Sequence, residues 1–242
     1  MQVENYIFCF FIYAFLGYLC EVAYCSILQK RLVNRGYLYM PLCPIYGFGA
    51  LIILLTMQPI IDMWYLVLLL GILLTSTLEY LTSYVMELVF HMRWWDYSQR
   101  KFNINGRVCL RNSLLFGALV MIVLYGLQPV FINLMSYIPT PVLWSLNAIL
   151  LVGILIDMVL STIKNINIAK IVAKINQLAD DATDKLKEFK QTASEKFNET
   201  KLKLKNFISR YPSASFRRVG KEKKRLSINE FISNHLNSKD EE

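Results

Sequence analysis

The chain is short of the groups that do covalent chemistry. Its 242 residues include two histidines, His91 and His235, too few and too far apart to build a zinc site. The five cysteines, Cys9, Cys20, Cys25, Cys43 and Cys109, form no CxxC pair. An odd count without framework spacing argues against a disulfide scaffold, and they read as small buried apolar residues. No GxxxxGKS/T is present, so this chain does not hold a nucleotide through a phosphate loop. No HExxH, GxSxG or Cys–His arrangement stands out. No cofactor, metal or enzymatic activity is expected from this chain, and no RNA- or DNA-binding module is recognisable.

Charge is scarce as well, but only in one part. Residues 1–163 hold eight of the 26 lysines and arginines, and the remaining 18 lie in residues 164–242. The composition, 55% hydrophobic, is too apolar for an ordinary soluble domain. The expected organisation is a membrane domain, 1–163, followed by a basic cytoplasmic tail, 164–242.

Five stretches approach the roughly 20 apolar residues that a membrane helix needs: 5–28, 41–59, 63–90, 112–133 and 141–163. The first reads as a span rather than a cleavable signal peptide, because Glu21 lies inside it and no basic leader precedes it. Lys30, Arg31 and Arg35 separate spans one and two. Arg93, Arg100, Lys101, Arg107 and Arg111 separate spans three and four, and the other two connectors carry no basic residue. The positive-inside rule then predicts an all-α bundle of five spans in the cell membrane, with the N-terminus outside and the C-terminus cytoplasmic. Span two is short and carries Pro41, Pro44, Gly47 and Gly49. A re-entrant or broken helix is the alternative there, since irregular backbone is tolerated where protein or water covers it.

Three outside-to-inside spans each contain an acid, Glu21, Glu79 and Asp157, at similar distances from their outer edges, and Glu87 lies two turns beyond Glu79. A charged side chain at a lipid-facing helix centre costs at least about 2.5–3.5 kcal/mol. These acids should therefore face helices, a wet cavity or basic partners. On span three, Thr75, Glu79, Thr82 and Ser83 share a side, opposite Leu68, Ile72, Tyr80 and Tyr84. The expectation is a polar chamber facing the cytoplasm, walled by Glu21, Glu79 and Glu87. Arg35, Arg107, Arg111 and Asn105 would serve it from the loops. Arg93, Trp94, Trp95, Asp96 and Tyr97 would hold the 91–113 loop at the bilayer interface, and Asn103, Asn105 and Gly106 suit tight turns. The same residues also fit a plainer reading, structural ion pairs that fix helix packing. Asp157 has a further option, pairing with Lys164.

In the tail, Ile175, Leu186, Phe197 and Ile208 recur every eleven residues within 165–208, the period of a nearly straight amphipathic helix. It suits either an anionic inner leaflet or a coiled-coil partner. "FRRVGKEKKRLS", Phe216 to Ser227, suits acidic lipid or a solvated linker.

The blocks "FIYAFLGYLCEVAYCSI", "VNRGYLYMPLCPIYGFGA", "LEYLTSYVMELVFHMRWWDYS" and "KFNINGRVCLRNSLLFG" resemble the bacterial membrane family labelled putative ABC-transporter type IV, or ABC transporter permease. The resemblance runs from about residue 8 to about 160. Tyr18 and Met40 depart mildly from the family pattern, which has tryptophan and glycine there. The resemblance implies a permease component, a lipid bilayer around it, a separate ATPase subunit and self-association to complete a pathway. The 91–113 loop would be the ATPase contact. Two other readings stand beside it: a non-transporting membrane protein that binds a lipid headgroup or a protein partner, and, further behind, an intramembrane lipid enzyme using Glu21 and Glu79 as acid and base.

Overall fold

The computed structural model describes residues 1–33, 35–181, 202–204, 206–207, 210, 215–217 and 225–227. Among the described residues α-helices dominate, the longer ones being α1 Val3–Gln29, α2 Pro44–Thr56, α3 Trp64–Phe90, α4 Leu110–Met121, α5 Gln128–Ser136 and α6 Thr140–Asp181. A π-helical stretch, Ile122–Leu127, joins α4 to α5 without a break. Four continuous helical stretches are long and apolar enough to cross a membrane: Val3–Ile27, Trp64–Phe90, Leu110–Ser136 and Thr140–Ile175. α2 is apolar throughout but has only 13 residues, about 20 Å against a hydrocarbon core of about 30 Å.

The chain divides into two compact units. One comprises Met1–Thr82 and Tyr97–Ser161, the other Ser83–Asp96 and Thr162–Glu242. The first holds two apolar cores. Cys9 and Tyr13 of α1 join Ala50, Ile53 and Leu54 of α2, Val67 of α3 and Val120 of α4 in one of them. Phe10, Phe11 and Ala14 join Leu38, Leu42 and Ile154 in the other. Small residues let the backbones approach, as membrane helix contacts require. A side chain at Gly47 would collide with Phe10, one at Gly17 with Tyr46, and one at Gly117 with Ile72.

Proline and glycine explain the short second segment. Residues 35–43 are irregular, and the helix begins only at Pro44, where a missing N–H costs nothing. This irregular chain is partly buried: Gly36, Leu38 and Leu42 are enclosed, whereas Tyr39 and Pro41 are exposed. The Cys43 N–H donates to the Ala14 carbonyl at 2.9 Å, about 16 Å along α1 from Val3. Asp157 of α6 accepts the backbone N–H of Tyr39 at 3.0 Å and of Met40 at 2.6 Å, and the Ser161 hydroxyl at 2.9 Å. The carboxylate therefore takes the place of helical carbonyls for a stretch of chain that has none. It is seated by these bonds, with the Ser161 hydroxyl as its third donor.

In the second unit, β1 (Met92–Arg93) pairs antiparallel with β4 (Ser215–Arg217), which pairs with β5 (Arg225–Ser227). Both ends of the basic 216–227 stretch are thus strands, where the sequence suggested a lipid-binding cluster or a linker. In the tail, α6 runs unbroken to Asp181. Leu186, Phe197 and Ile208, three of the four positions of the eleven-residue repeat, lie outside the described residues.

Candidate functional site

Glu21 and Glu79 belong to the first unit and are treated differently by their surroundings. Glu21, on α1, is fully engaged. One carboxylate oxygen lies 3.3 Å from Arg35 Nε, and the other accepts the Tyr46 hydroxyl at 2.7 Å. Arg35 also donates to the Cys25 sulfur. Burial works most strongly against the charge on Arg35, but the Glu21 carboxylate, the Cys25 sulfur and Tyr97 together outweigh it, and the guanidinium pKa moves up. Arg35 therefore stays cationic at any ordinary pH. Two of the expected chamber residues, Glu21 and Arg35, are thus paired with each other.

Glu79 is only 5% exposed. One of its oxygens accepts the Tyr97 hydroxyl at 3.2 Å, while the other, Oε2, is buried and has no hydrogen-bond partner among the described residues. Tyr97 arrives from the loop. Burial, and then the Glu79 carboxylate, push its pKa up, so it remains a neutral donor at pH 7.

The loop reaches Glu79 because of its turn residues. β2 (Asn103–Ile104) and β3 (Val108–Cys109) pair antiparallel. Between them Asn105 and Gly106 both have positive φ, 52° and 67°, as mirror-image hairpin turns demand. The Gly106 carbonyl accepts the Tyr97 N–H at 2.8 Å, which seats the tyrosine. Asn105 Nδ2 donates to the Tyr80 hydroxyl at 3.0 Å, and the buried Arg107 lies over the Tyr80 ring, 5.6 Å from its centre. Asn105 and Arg107 thus grip α3 through Tyr80, a residue that the sequence assigned to the side away from Glu79.

Beside Glu79 lies a cavity of about 130 Å³. Leu16, Ala50, Ile53, Phe116 and Val120 are among its apolar walls, Tyr13, Tyr46 and Thr75 bring hydroxyls, and Glu79 is its one charged residue. The chamber expected from sequence was lined with several acids and bases, whereas this one is apolar with a single carboxylate. Every lining hydroxyl is committed elsewhere. Tyr13 donates to Gln128 at 2.6 Å, Tyr46 to Glu21, and Thr75 to the Gly71 carbonyl at 2.7 Å. Ile122, Val123 and Leu127 of the π-helical stretch complete the wall. That widened turn immediately precedes Pro129, which cannot donate to the usual carbonyl, and such turns recur at functional sites.

The remaining expected residues are placed elsewhere. In the second unit, Glu87 pairs with Arg93 at 2.7 Å. Trp94, expected at the bilayer interface, is buried, with its ring centre 4.8 Å from that of Phe90 and 6.2 Å from that of Phe207. Trp95 and Asp96 are half-buried. In the first unit, Arg111 joins Arg100, Lys101, Phe102, Leu110, Leu114 and Leu115 around a surface groove of about 630 Å³.

Reasoning from sequence passed over Tyr46, Tyr13 and Gln128. Their signal was present as polar side chains inside apolar spans, but it was masked because tyrosine also serves as an apolar or interfacial residue. No group of three or more His, Cys, Asp or Glu is placed to hold a metal among the described residues.

No curated protein and no solved structure matches the chain. The family described as Putative ABC-transporter type IV matches residues 8–162, which include most of α1, all of α2 to α5, the 91–109 loop and the part of α6 that carries Asp157. The chain therefore belongs to the Putative ABC-transporter type IV family.

Proposed function

We propose that this chain is the membrane-embedded, permease-like component of a transporter, that it performs no covalent chemistry itself, and that a separate ATPase supplies the energy. The observation that carries this reading is the buried Glu79 with an unused oxygen beside an apolar cavity. An intramembrane acid of this kind points to a solute or ion path. The broken second segment supports it. Transporters build their sites on discontinuous helices and unwound backbone, and here the irregular backbone at Tyr39 and Met40 is held by Asp157 of α6. In this reading the second segment crosses as an irregular half followed by α2, giving five crossings with the N-terminus outside and the C-terminus in the cytoplasm. Self-association completes the pathway, and the basic tail lies along anionic lipid.

Purification of the full chain from native membranes in mild detergent tests the reading. A stoichiometric ATPase should accompany it. Repeated recovery of the chain without one, under conditions that preserve known membrane complexes, contradicts the role. For the topology, a cysteine at position 60 should react with an impermeant reagent from outside, and one at position 100 only from inside. The reverse pattern overturns the orientation.

A second reading has its own observation. Arg100, Lys101 and Arg111 make no ion pair among the described residues, and they line a groove together with the exposed Leu110, Leu114 and Leu115. Three cations beside exposed leucines fit the phosphate and acyl chain of an anionic phospholipid. Native mass spectrometry should find that lipid bound to the wild type and reduced in Arg111→Gln/Lys101→Gln. Equal occupancy in both contradicts this reading.

A further inference from the structure

The cavity beside Glu79 carries a statement about its guest. Glu79 is more than nine-tenths buried, and its Oε2 lacks a donor. An unsatisfied buried acceptor costs about 1–3 kcal/mol, and more if charged. None of the three hydroxyls in the wall can relieve it without abandoning Gln128, Glu21 or the Gly71 carbonyl. The Cys20 thiol, also in the wall, is only a weak donor, so a strong donor has to arrive with the occupant.

The walls restrict what that occupant is. One carboxylate oxygen among aliphatic and aromatic side chains cannot replace the six or more oxygens around a hard metal cation. A carboxylate or phosphate guest would bring more acceptor oxygens to an unpaired acceptor, with no cation in the lining. A neutral hydrocarbon would fill the space but leave Oε2 unpaired. An ammonium group satisfies it with a charge-assisted hydrogen bond, and the rings of Tyr13, Tyr46 and Phe116 suit a cation and its apolar body alike. The volume sets the size. About 130 Å³ is close to the roughly 150 Å³ of an engineered apolar cavity that binds benzene.

We propose that Glu79 and this cavity bind a small lipophilic monoamine, with the ammonium on Glu79 Oε2 and the hydrocarbon part between Ile53, Phe116 and Val120. The inference rests on the reading of the Glu79 cavity as the solute site, but it does not require the ATPase.

The test uses the full chain in mild detergent, with benzylamine as the probe and benzyl alcohol as its neutral isostere, followed by thermal unfolding near neutral pH. Benzylamine should raise the midpoint saturably, with benzyl alcohol binding about tenfold or more weaker. Glu79→Gln should erase the difference between the two probes while leaving the weak alcohol effect. Ala50→Leu, which narrows the cavity and keeps the acid, should abolish both. Equal stabilisation by amine and alcohol, or an undiminished amine effect in Glu79→Gln, overturns the proposal. Difference infrared spectroscopy on the wild type guards against a variant that does not fold. Benzylamine should perturb a carboxylate band, and a band that responds to pH but not to the amine means that only a proton uses Glu79, which also overturns it. Amine binding by a chain that never brings down an ATPase supports this inference and removes the transporter reading. An ATPase partner together with amine-insensitive protein sustains the transporter reading and overturns this inference.

Discussion

Asp157 and Glu79 are both buried acids on apolar helices of one unit, each about 5% exposed, and their surroundings use them in opposite ways. Asp157 accepts two backbone N–H groups and a hydroxyl. Glu79 accepts one tyrosine hydroxyl at 3.2 Å and leaves an oxygen idle beside a cavity. A buried carboxylate whose bonds are all made holds the fold together. One whose bonds are half made reduces stability, and the deficit is recovered only when something else binds. The difference between these two acids separates scaffold from site.

The comparison can be broken most severely at Asp157. Asp157→Ala orphans the N–H groups of Tyr39 and Met40 within a partly buried, irregular stretch, and the expected loss is about 2–4 kcal/mol. Thermal unfolding in detergent should show it, and proteolysis should become faster between residues 35 and 43. A loss of less than about 1 kcal/mol would mean that the irregular segment does not depend on its carboxylate.

Gly47→Leu comes next. The new side chain meets Phe10 where α1 and α2 touch, and overpacking of this kind costs about 1–3 kcal/mol. Gly126→Ala is the matched control, since nothing lies near its missing Cβ, and its midpoint should hold or rise slightly.

Arg35→Met sharpens the contrast on the scaffold side. It leaves Glu21 with a hydroxyl and no cation, and because the pair is partly exposed, at 16% and 25%, the cost is about 1–3 kcal/mol. The double variant Glu21→Gln/Arg35→Met should recover most of it. If the double variant is as unstable as the sum of the two single variants, the two side chains do not act as a pair.

Much of this organisation was legible in the residues. Long apolar runs mark α1, α3, the α4–α5 stretch and α6, because backbone in hydrocarbon must satisfy its own polar groups. Pro41, Pro44 and the nearby glycines flag the second segment as irregular, and the pairing of Glu21 with Arg35 follows from the cost of a lone charge. Asn105–Gly106 announces its hairpin in the same way. Other features were not legible because they depend on contacts distant in sequence. The partners of Asp157 lie more than a hundred residues away, and no local pattern links them. The π-helical stretch leaves only Pro129 as a trace. Trp94 reads as interfacial by composition, yet Phe207 from the tail packs against it. The apolar nature of the Glu79 cavity was hidden because its walls come from four separate segments, each of which reads as ordinary core.

The most direct measurement sets Asp157→Asn beside Glu79→Gln in one thermal unfolding series on the full chain. The account predicts a clear fall in midpoint for Asp157→Asn, whose amide keeps only one oxygen for two N–H groups and a hydroxyl. It predicts an unchanged or raised midpoint for Glu79→Gln, which removes a half-satisfied acid. A fall for Glu79→Gln as large as that for Asp157→Asn would contradict it, because both acids would then be parts of the scaffold.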